Sequence, residues 1–493
     1  MIDKKDAFVL NRTAKNTAIY FVGTIVSAVV GFLNTMLLTR VLDEKVYAMY
    51  GLLATFVTAA TTFIAFGYDS AYSRFYYKHA FTPKGFIWKT LRTPVIVFVV
   101  FALVLLEPNQ FLLTYVFGDR LSYVTVALLV VYVFFAFVHR FTQLTARMEE
   151  RAFNYVGSNF VGKFGYVALV MVIFWTMKSV RFDWVVVSFL ISSTLATLMN
   201  VTVFVRLRNE RNVLGETITE KDLFSYGFPY MLNNVMILIV PLVEKLIIRD
   251  VAGWEVLGVY TAAAIFQTVI MIISNTVINI WNPLVYKHCD DEKYFKPLLH
   301  LFGQAATVML VVGLAFCILT RRWLVLILDQ SYRADVSVIA PAILFGACFN
   351  ILNIIYSVGI NIKKKTGYFI ISPLLQLGIS VGLCYLLVPT MGLVGVAMAT
   401  LASLVISKTY RILVGIHLYN TGVSEWKTVV LCVAGVAASV FALFSTSMIS
   451  DILVFLGLIM AVIVIVNRDL VSLVRSLKSI MRGKDLSKKK EKH

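Results

Sequence analysis

Charge is scarce in this 493-residue chain. Only 15% of its residues are charged and 59% are hydrophobic, against about 25% and about 45–50% in soluble domains. A water-soluble globule is excluded, because too few polar side chains remain to cover one. Acids are scarcer than bases, 27 against 45, which leaves a net charge of +18. In a soluble protein that excess would point to nucleic acid; here it lies between hydrophobic segments and in the C-terminal tail, so no nucleic-acid partner is expected. Of the five cysteines, Cys317, Cys348, Cys384 and Cys432 fall inside apolar runs, which excludes a disulfide framework or a thiolate metal site. There is no glycine-rich phosphate loop and no HExxH motif. His79, His288, His300 and His417 show no ligand spacing, and His139, beside Arg140, reads as an interfacial polar residue. No loop is long enough for a soluble catalytic domain. The expectation is therefore no enzyme activity, no cofactor and no metal.

Apolar runs are what the chain has in abundance. A helix crossing hydrocarbon needs about 20 apolar residues, and fourteen segments qualify: 17–39, 46–67, 88–107, 121–143, 153–177, 183–205, 224–248, 256–281, 298–320, 336–360, 367–388, 392–418, 427–446 and 450–467. The third is interrupted by Lys89, Arg92 and Pro94, and the fourteenth is short. Lys4, Lys5, Arg12 and Lys15 precede the first run, which lacks a clear cleavage site and reads as an uncleaved span. Alternating the loops from a cytoplasmic N-terminus puts most of the 45 lysines and arginines on the inner side. Both termini are then expected in the cytoplasm. The basic tail, ending in Lys488, Lys489 and Lys490, is expected to touch anionic membrane lipids.

The two halves echo each other. Arg40 to Tyr50 joins spans one and two, and Arg249 to Tyr260 joins spans seven and eight. Arg151 to Tyr155 before span five has a counterpart in Lys364 to Tyr368 before span eleven. Such matches imply parallel six-helix repeats. The expected organisation is a six-helix lobe over 1–210, a second over 211–420, and two added spans with a basic tail over 421–493.

Charge at membrane depth gives the candidate site residues. The stretch Phe66 to His79 turns from apolar to acidic, aromatic and basic. Read as one helix running out of span two, it sets Ser70, Arg74 and Lys78 on one face, with Asp69 roughly 140° from Arg74. A carboxylate and a basic face there suit an anionic cargo and a coupling ion, or Arg74 and Lys78 simply follow the positive-inside rule. Span seven holds Asn233, Asn234, Pro241, Glu244 and Lys245. Its charges either face a cavity, or pair with each other or with Arg249 while Lys245 reaches outward. Asn275 with Asn279, and Asn350 with Asn353 and Ser357, either line an aqueous path or join helices.

Gly67, the acid two residues on, and Arg74, Phe75 and Tyr76 beyond it form a pattern that resembles the Wzx-type polysaccharide (O-antigen repeat-unit) flippases. These belong to the multidrug/oligosaccharidyl-lipid/polysaccharide export superfamily. The acid–base pair of span seven before Leu246, Ile247 and Ile248 is similar to the same family's pattern, with Glu244 for the usual aspartate. Pro389 to Thr400 resembles its small-residue join, and Arg40 to Tyr50 its first outer loop, with Ala48 for the usual glycine. The resemblance implies an all-α polytopic fold of two six-helix lobes in a V-shaped bundle, in a bacterial cytoplasmic (inner) membrane. It implies movement of an undecaprenyl-diphosphate-linked oligosaccharide to the outer leaflet by alternating access, coupled to H+ or Na+. A polymerase and a chain-length regulator are implied pathway partners. On the sequence, Arg74, Lys78, Lys163, Lys245 and Lys408 are the candidates for the diphosphate or glycan, and Asp69 and Glu244 for the coupling ion. A drug or cation antiporter of the same superfamily should show more acids than bases at depth. A glycan polymerase or lipid-linked glycosyltransferase should carry a long outer loop. The chain has neither.

With both termini inside, Cys289 in the loop after span eight faces the cytoplasm. A membrane-impermeant thiol reagent is expected to label it in inverted vesicles and not in intact spheroplasts. Labelling from outside overturns the fourteen-span count.

Overall fold

A computed structural model describes residues 4–76, 82–205, 218–267, 292–363, 365, 367–419 and 426–481, together with 270, 273, 274, 277, 278, 281, 284 and 285. Lys78, Asn275, Asn279, Cys289 and the tail lysines lie outside them. Among the described residues there are fifteen α-helices and no strand. In the first half they are α1 (Lys4–Val41), α2 (Glu44–Ala65), α3 (Tyr68–Phe75), α4 (Pro83–Leu105), α5 (Phe111–Phe117), α6 (Tyr123–Met148), α7 (Ala152–Met177), α8 (Phe182–Val205) and α9 (Glu220–Ala263). The second half holds α10 (Glu292–Leu324), α11 (Gln330–Tyr356), α12 (Val358–Ile362), α13 (Tyr368–Leu418), α14 (Trp426–Phe444) and α15 (Met448–Met481).

Eleven of the described helices are long and apolar enough to cross a membrane. Two of these, α9 and α13, are broken by Gly253 (φ 87°) and Gly392 (φ 53°) into two arms each. With those arms counted, and with the apolar stretch Ile25–Val41 of α1, each expected span overlaps a described helix, the eighth only in its first part because much of 268–281 lies outside the described residues. Lys89, Arg92 and Pro94 do not interrupt α4. Thr82 caps its start by accepting from the Gly85 amide, and Pro83 occupies the first turn, where no amide is needed. Outside the spans, the Phe111 amide holds the Glu107 carboxyl below its usual range. The Ser331 amide does the same for Asp329 at the start of α11.

One expectation fails. The stretch from Phe66 onward is not a continuation of span two: α2 stops at Ala65, and Phe66 (φ 50°) and Gly67 (φ 75°) are both left-handed. Gly67 also lies against the backbone of Gly227 in α9, where a Cβ would stand 1.9 Å from the Gly227 carbonyl oxygen. Only glycine meets both demands. The chain then restarts as α3.

Contacts divide the chain into two compact units, Met1–Thr261 and Ala262–His493. In the first, α8 packs on α6 and α7, and α1 packs on α7. In the second, α11 packs on α10, α13 and α14, while α15 lies along α10. The second unit is fastened by an ion pair with both partners 2% exposed: Arg321 on α10 donates to Asp451 on α15 at 3.0 and 2.7 Å. Arg321 also donates to the carbonyls of Ala442 (2.5 Å) and Ser445 (2.8 Å) at the end of α14, and Arg322 to that of Thr446 (2.5 Å). Two arginines thus satisfy the orphan carbonyls of one helix and the carboxylate that opens the next.

Removing one member of such a pair leaves a buried charge without its partner, at a cost of about 3–5 kcal/mol. Asp451→Ala is expected to lower the unfolding temperature in micelles markedly. Asp451→Leu combined with Arg321→Met should recover part of the loss. A neutral Asp451→Ala variant would show that the pair does not hold α15.

Candidate functional site

The short helix α3 is held on the end of α6 by three side-chain contacts. Asp69 accepts from Arg140 Nε at 3.0 Å and Nη2 at 2.5 Å. Tyr72 shares a hydrogen bond with Thr145 at 3.2 Å, and Tyr76 donates to Glu149. Residues 69, 72, 73 and 76 fall on one side of a helix at 100° per residue; Arg74 falls on the other. Arg140 also donates to Thr62 of α2 at 3.2 Å, so a single guanidinium gathers α2, α3 and α6.

Beside this pair lies a polar cleft of about 250 Å³. Its walls carry Ser70 and Ser73 from α3, Gln143 and Arg147 from α6, and Tyr155 from α7. Arg140 and Arg147 are seven residues apart, about two turns, and share one face of α6. Asp69, 13% exposed on its side chain, occupies one edge and takes two of the Arg140 donors. Two guanidiniums, three hydroxyls and an amide around such a volume suit a phosphate-bearing group. The partly solvated Arg140 (31% exposed) and exposed Arg147 leave their charge available to one.

The predicted residues do not converge on this cleft. Asp69 lines it, but Arg74 is exposed on the opposite side of α3, where its charge acts on the Tyr226 phenol of α9 and Phe75 stacks edge-on against that ring at 5.7 Å. Lys163 is exposed midway along α7, and its carbonyl accepts from Asn34 of α1 at 2.7 Å. Lys408 is half-buried in the second unit. Arg140 and Arg147 carry the cleft instead. Their spacing within and just beyond the fourth apolar run is the signal that the sequence offered for them.

Along α9 a second set of charges meets α2 and α5. The Lys245 ammonium donates to the Gly51 carbonyl at 2.8 Å and to Thr55 Oγ1 at 2.7 Å. It neither reaches outward nor takes its neighbour's carboxylate as a hydrogen-bond partner there. Glu244, 4% exposed, accepts from Tyr260 at 3.5 Å on the second arm of the same helix. Arg249, 9% exposed, pairs with Asp250 at 2.5 Å and donates to the carbonyls of Tyr115 and Val116 (2.6 Å to the latter). It therefore caps the C-terminus of α5. In the second unit Asn353 and Ser357 are buried, and Asn353 donates to Asn350 at 3.2 Å within α11, a contact inside one helix. Among the described residues no group of histidine, cysteine and carboxylate side chains could hold a metal ion.

Comparison with known proteins agrees with this architecture. No curated protein sequence matches the chain. Its fold is similar to that of a lipid II flippase, MurJ, in an inward closed conformation: TM-score 0.67 at 14% identity, over 92% of this chain and 100% of that one. It is also similar to an inward-facing multidrug resistance MATE transporter of the MOP superfamily, with TM-score 0.62 at 14% identity over 81% and 96% of the two chains. A Vibrio cholerae MATE transporter aligns at TM-score 0.54 and 10% identity, over 84% and 98%. The family described as polysaccharide biosynthesis protein matches residues 13–287, more than half the chain. An all-helical polytopic fold, a net basic charge and this match agree: the chain belongs to the polysaccharide biosynthesis protein family, as a multi-pass membrane protein.

Proposed function

We propose that this protein carries undecaprenyl-diphosphate-linked oligosaccharide repeat units from the cytoplasmic to the outer leaflet of a bacterial cytoplasmic (inner) membrane. Both termini lie in the cytoplasm, and an H+ or Na+ gradient drives the cycle. A polymerase and a chain-length regulator then act on the delivered units. The observation that carries the reading is the cleft between α3, α6 and α7. A diphosphate leaving water needs cations and donors in a place of reduced dielectric, and Arg140, Arg147, Ser70, Ser73 and Tyr155 supply them around one volume. Asp69 holds Arg140 when no cargo is present, so an arriving diphosphate competes with an internal carboxylate for the same guanidinium. Arg74, Lys78, Lys163, Lys245 and Lys408 are further candidate cationic contacts for the cargo.

Alternating access draws support from α2 and α9, which touch near both ends. Gly67 meets Gly227 at one end, and Lys245 meets Gly51 and Thr55 at the other. At the first the backbones touch directly, and at the second a cation rests on neutral acceptors. Neither carries a salt bridge, so each opens without stranding a paired charge. For ion coupling the candidates are Asp69, which Arg140 binds, and Glu244, which is 4% exposed with the Tyr260 hydroxyl among its contacts.

Arg140→Ala and Arg74→Ala are each expected to lose most transport, and Arg140→Lys and Arg74→Lys to retain part. A lost charge-assisted hydrogen bond of about 1.5–3 kcal/mol corresponds to roughly ten- to a hundredfold in rate. The readout is lipid-linked oligosaccharide appearing on the outer leaflet of vesicles that contain equal amounts of folded protein. Wild-type rates for Arg140→Ala return this side chain to a purely structural role. Glu244→Gln is expected to abolish gradient-driven transport while membrane levels stay normal. Unchanged transport under a gradient would leave Glu244 only a structural pairing role.

A further inference from the structure

A second cleft, separate from the Asp69–Arg140 site, lies between α3, α4 and the start of α9 and has a volume of about 420 Å³. Its polar floor is largely satisfied. Tyr68 donates to Glu220 at 3.4 Å, and Lys89 donates to the Ile218 carbonyl at 2.6 Å. The start of α9 is closed by Thr219 and Asp222, each accepting from the other's amide, so no open helix end contributes. Two cations at the rim are different. Arg92 and Lys221 are exposed and form no salt bridge among the described residues.

The other wall is apolar and equally exposed. Ile96 is 59% exposed and Phe224 46%. Positions 92, 96, 99 and 103 of α4 recur at helical spacing, so the apolar face runs on from the rim through Val99 and Leu103, both exposed. Trp88, one turn before Arg92, is exposed as well, as an interfacial tryptophan should be. The order along α4 is therefore aromatic belt, cation, aliphatic track. With Arg92, Lys89 and Lys221 against Glu220 and Asp222, the mouth remains net positive.

We propose that this cleft binds an anionic glycerophospholipid. Its phosphate lies between Arg92 and Lys221, and an acyl chain follows Ile96, Val99 and Leu103. A soluble phosphate would use the cations and leave the apolar track idle; a zwitterionic lipid would use the track and gain little from the cations. Only an amphiphile with net negative charge uses both. Binding here tethers α4 to the start of α9 independently of which cargo the protein carries.

The test uses the full-length protein in mixed phosphatidylglycerol/phosphatidylcholine micelles, with retained lipid counted by native mass spectrometry. Wild-type protein is expected to retain phosphatidylglycerol preferentially. Arg92→Gln with Lys221→Gln should weaken that retention roughly thirtyfold, from about 1 kcal/mol for each of two cations. Arg120→Gln, an exposed arginine elsewhere on the first unit, should leave it unchanged. Both substituted side chains are exposed and outside any salt bridge, so the double variant is expected to unfold at the wild-type temperature; Leu103→Ser, which alters the track alone, should weaken retention independently. Equal retention of the two lipids, or an unaltered preference in the double variant, overturns the proposal. So does displacement of the lipid by glycerol phosphate at equal concentration, which would mark a free phosphate site. Displacement by a polyprenyl diphosphate but not by phosphatidylglycerol would also overturn it, by making the cleft a cargo site.

Discussion

Hydrocarbon offers a backbone carbonyl no water, so every carbonyl left over at a helix end must find a donor inside the protein. Much of this structure follows from how that need is met. Arg249 reaches the last carbonyls of α5, and Arg321 and Arg322 reach those at the end of α14. Lys245 donates to a carbonyl of α2, and Lys89 to that of Ile218 before α9. The scarce cations of the chain therefore act twice. Each of these five donates to a carbonyl and in turn joins two segments that are far apart in sequence.

A carbonyl is a good partner for such a cation and a weak one compared with a carboxylate. Where firmness is needed, the chain adds the carboxylate: Arg321 holds Asp451 with both side chains buried, and α15 is fixed to α10. Between α9 and α2 with the turn that follows it, the contacts include backbone against backbone at Gly67 and Gly227, Phe66 against Phe224 and Phe228, and the Lys245 ammonium against neutral oxygens. Ion pairs and neutral contacts are thus distributed unevenly over the helices, as the proposed cycle would require. Arg140 falls between these cases. Its partner Asp69 is a carboxylate, yet both remain partly solvated, so an anion of higher charge can contend for the guanidinium.

The helix α3 shows how eight residues separate two sets of contacts. Its break from α2 at Phe66 and Gly67 sets its rotation. That rotation turns Asp69, Ser73, Tyr72 and Tyr76 toward α6 and leaves Arg74 on the side of α9. Had α2 continued through residue 67, the same side chains would have pointed elsewhere. A glycine that admits the backbone of α9 is the cause.

The class of protein and the positions of its long apolar helices were legible in the sequence. Hydropathy is local, and the thickness of a bilayer sets how long an apolar run must be. Pro241, Gly253 and Gly392 were visible too, although only the two glycines break their helices. Residue types alone did not reveal partners. Asp69 and Arg140 stand 71 residues apart, Arg321 and Asp451 130, and Lys245 and Gly51 194. Tertiary packing decided each of these pairings, which is why the cleft centres on Arg140 and not on Arg74. It also decided that Lys245 would rest on a backbone carbonyl, a group every residue carries and no sequence pattern marks.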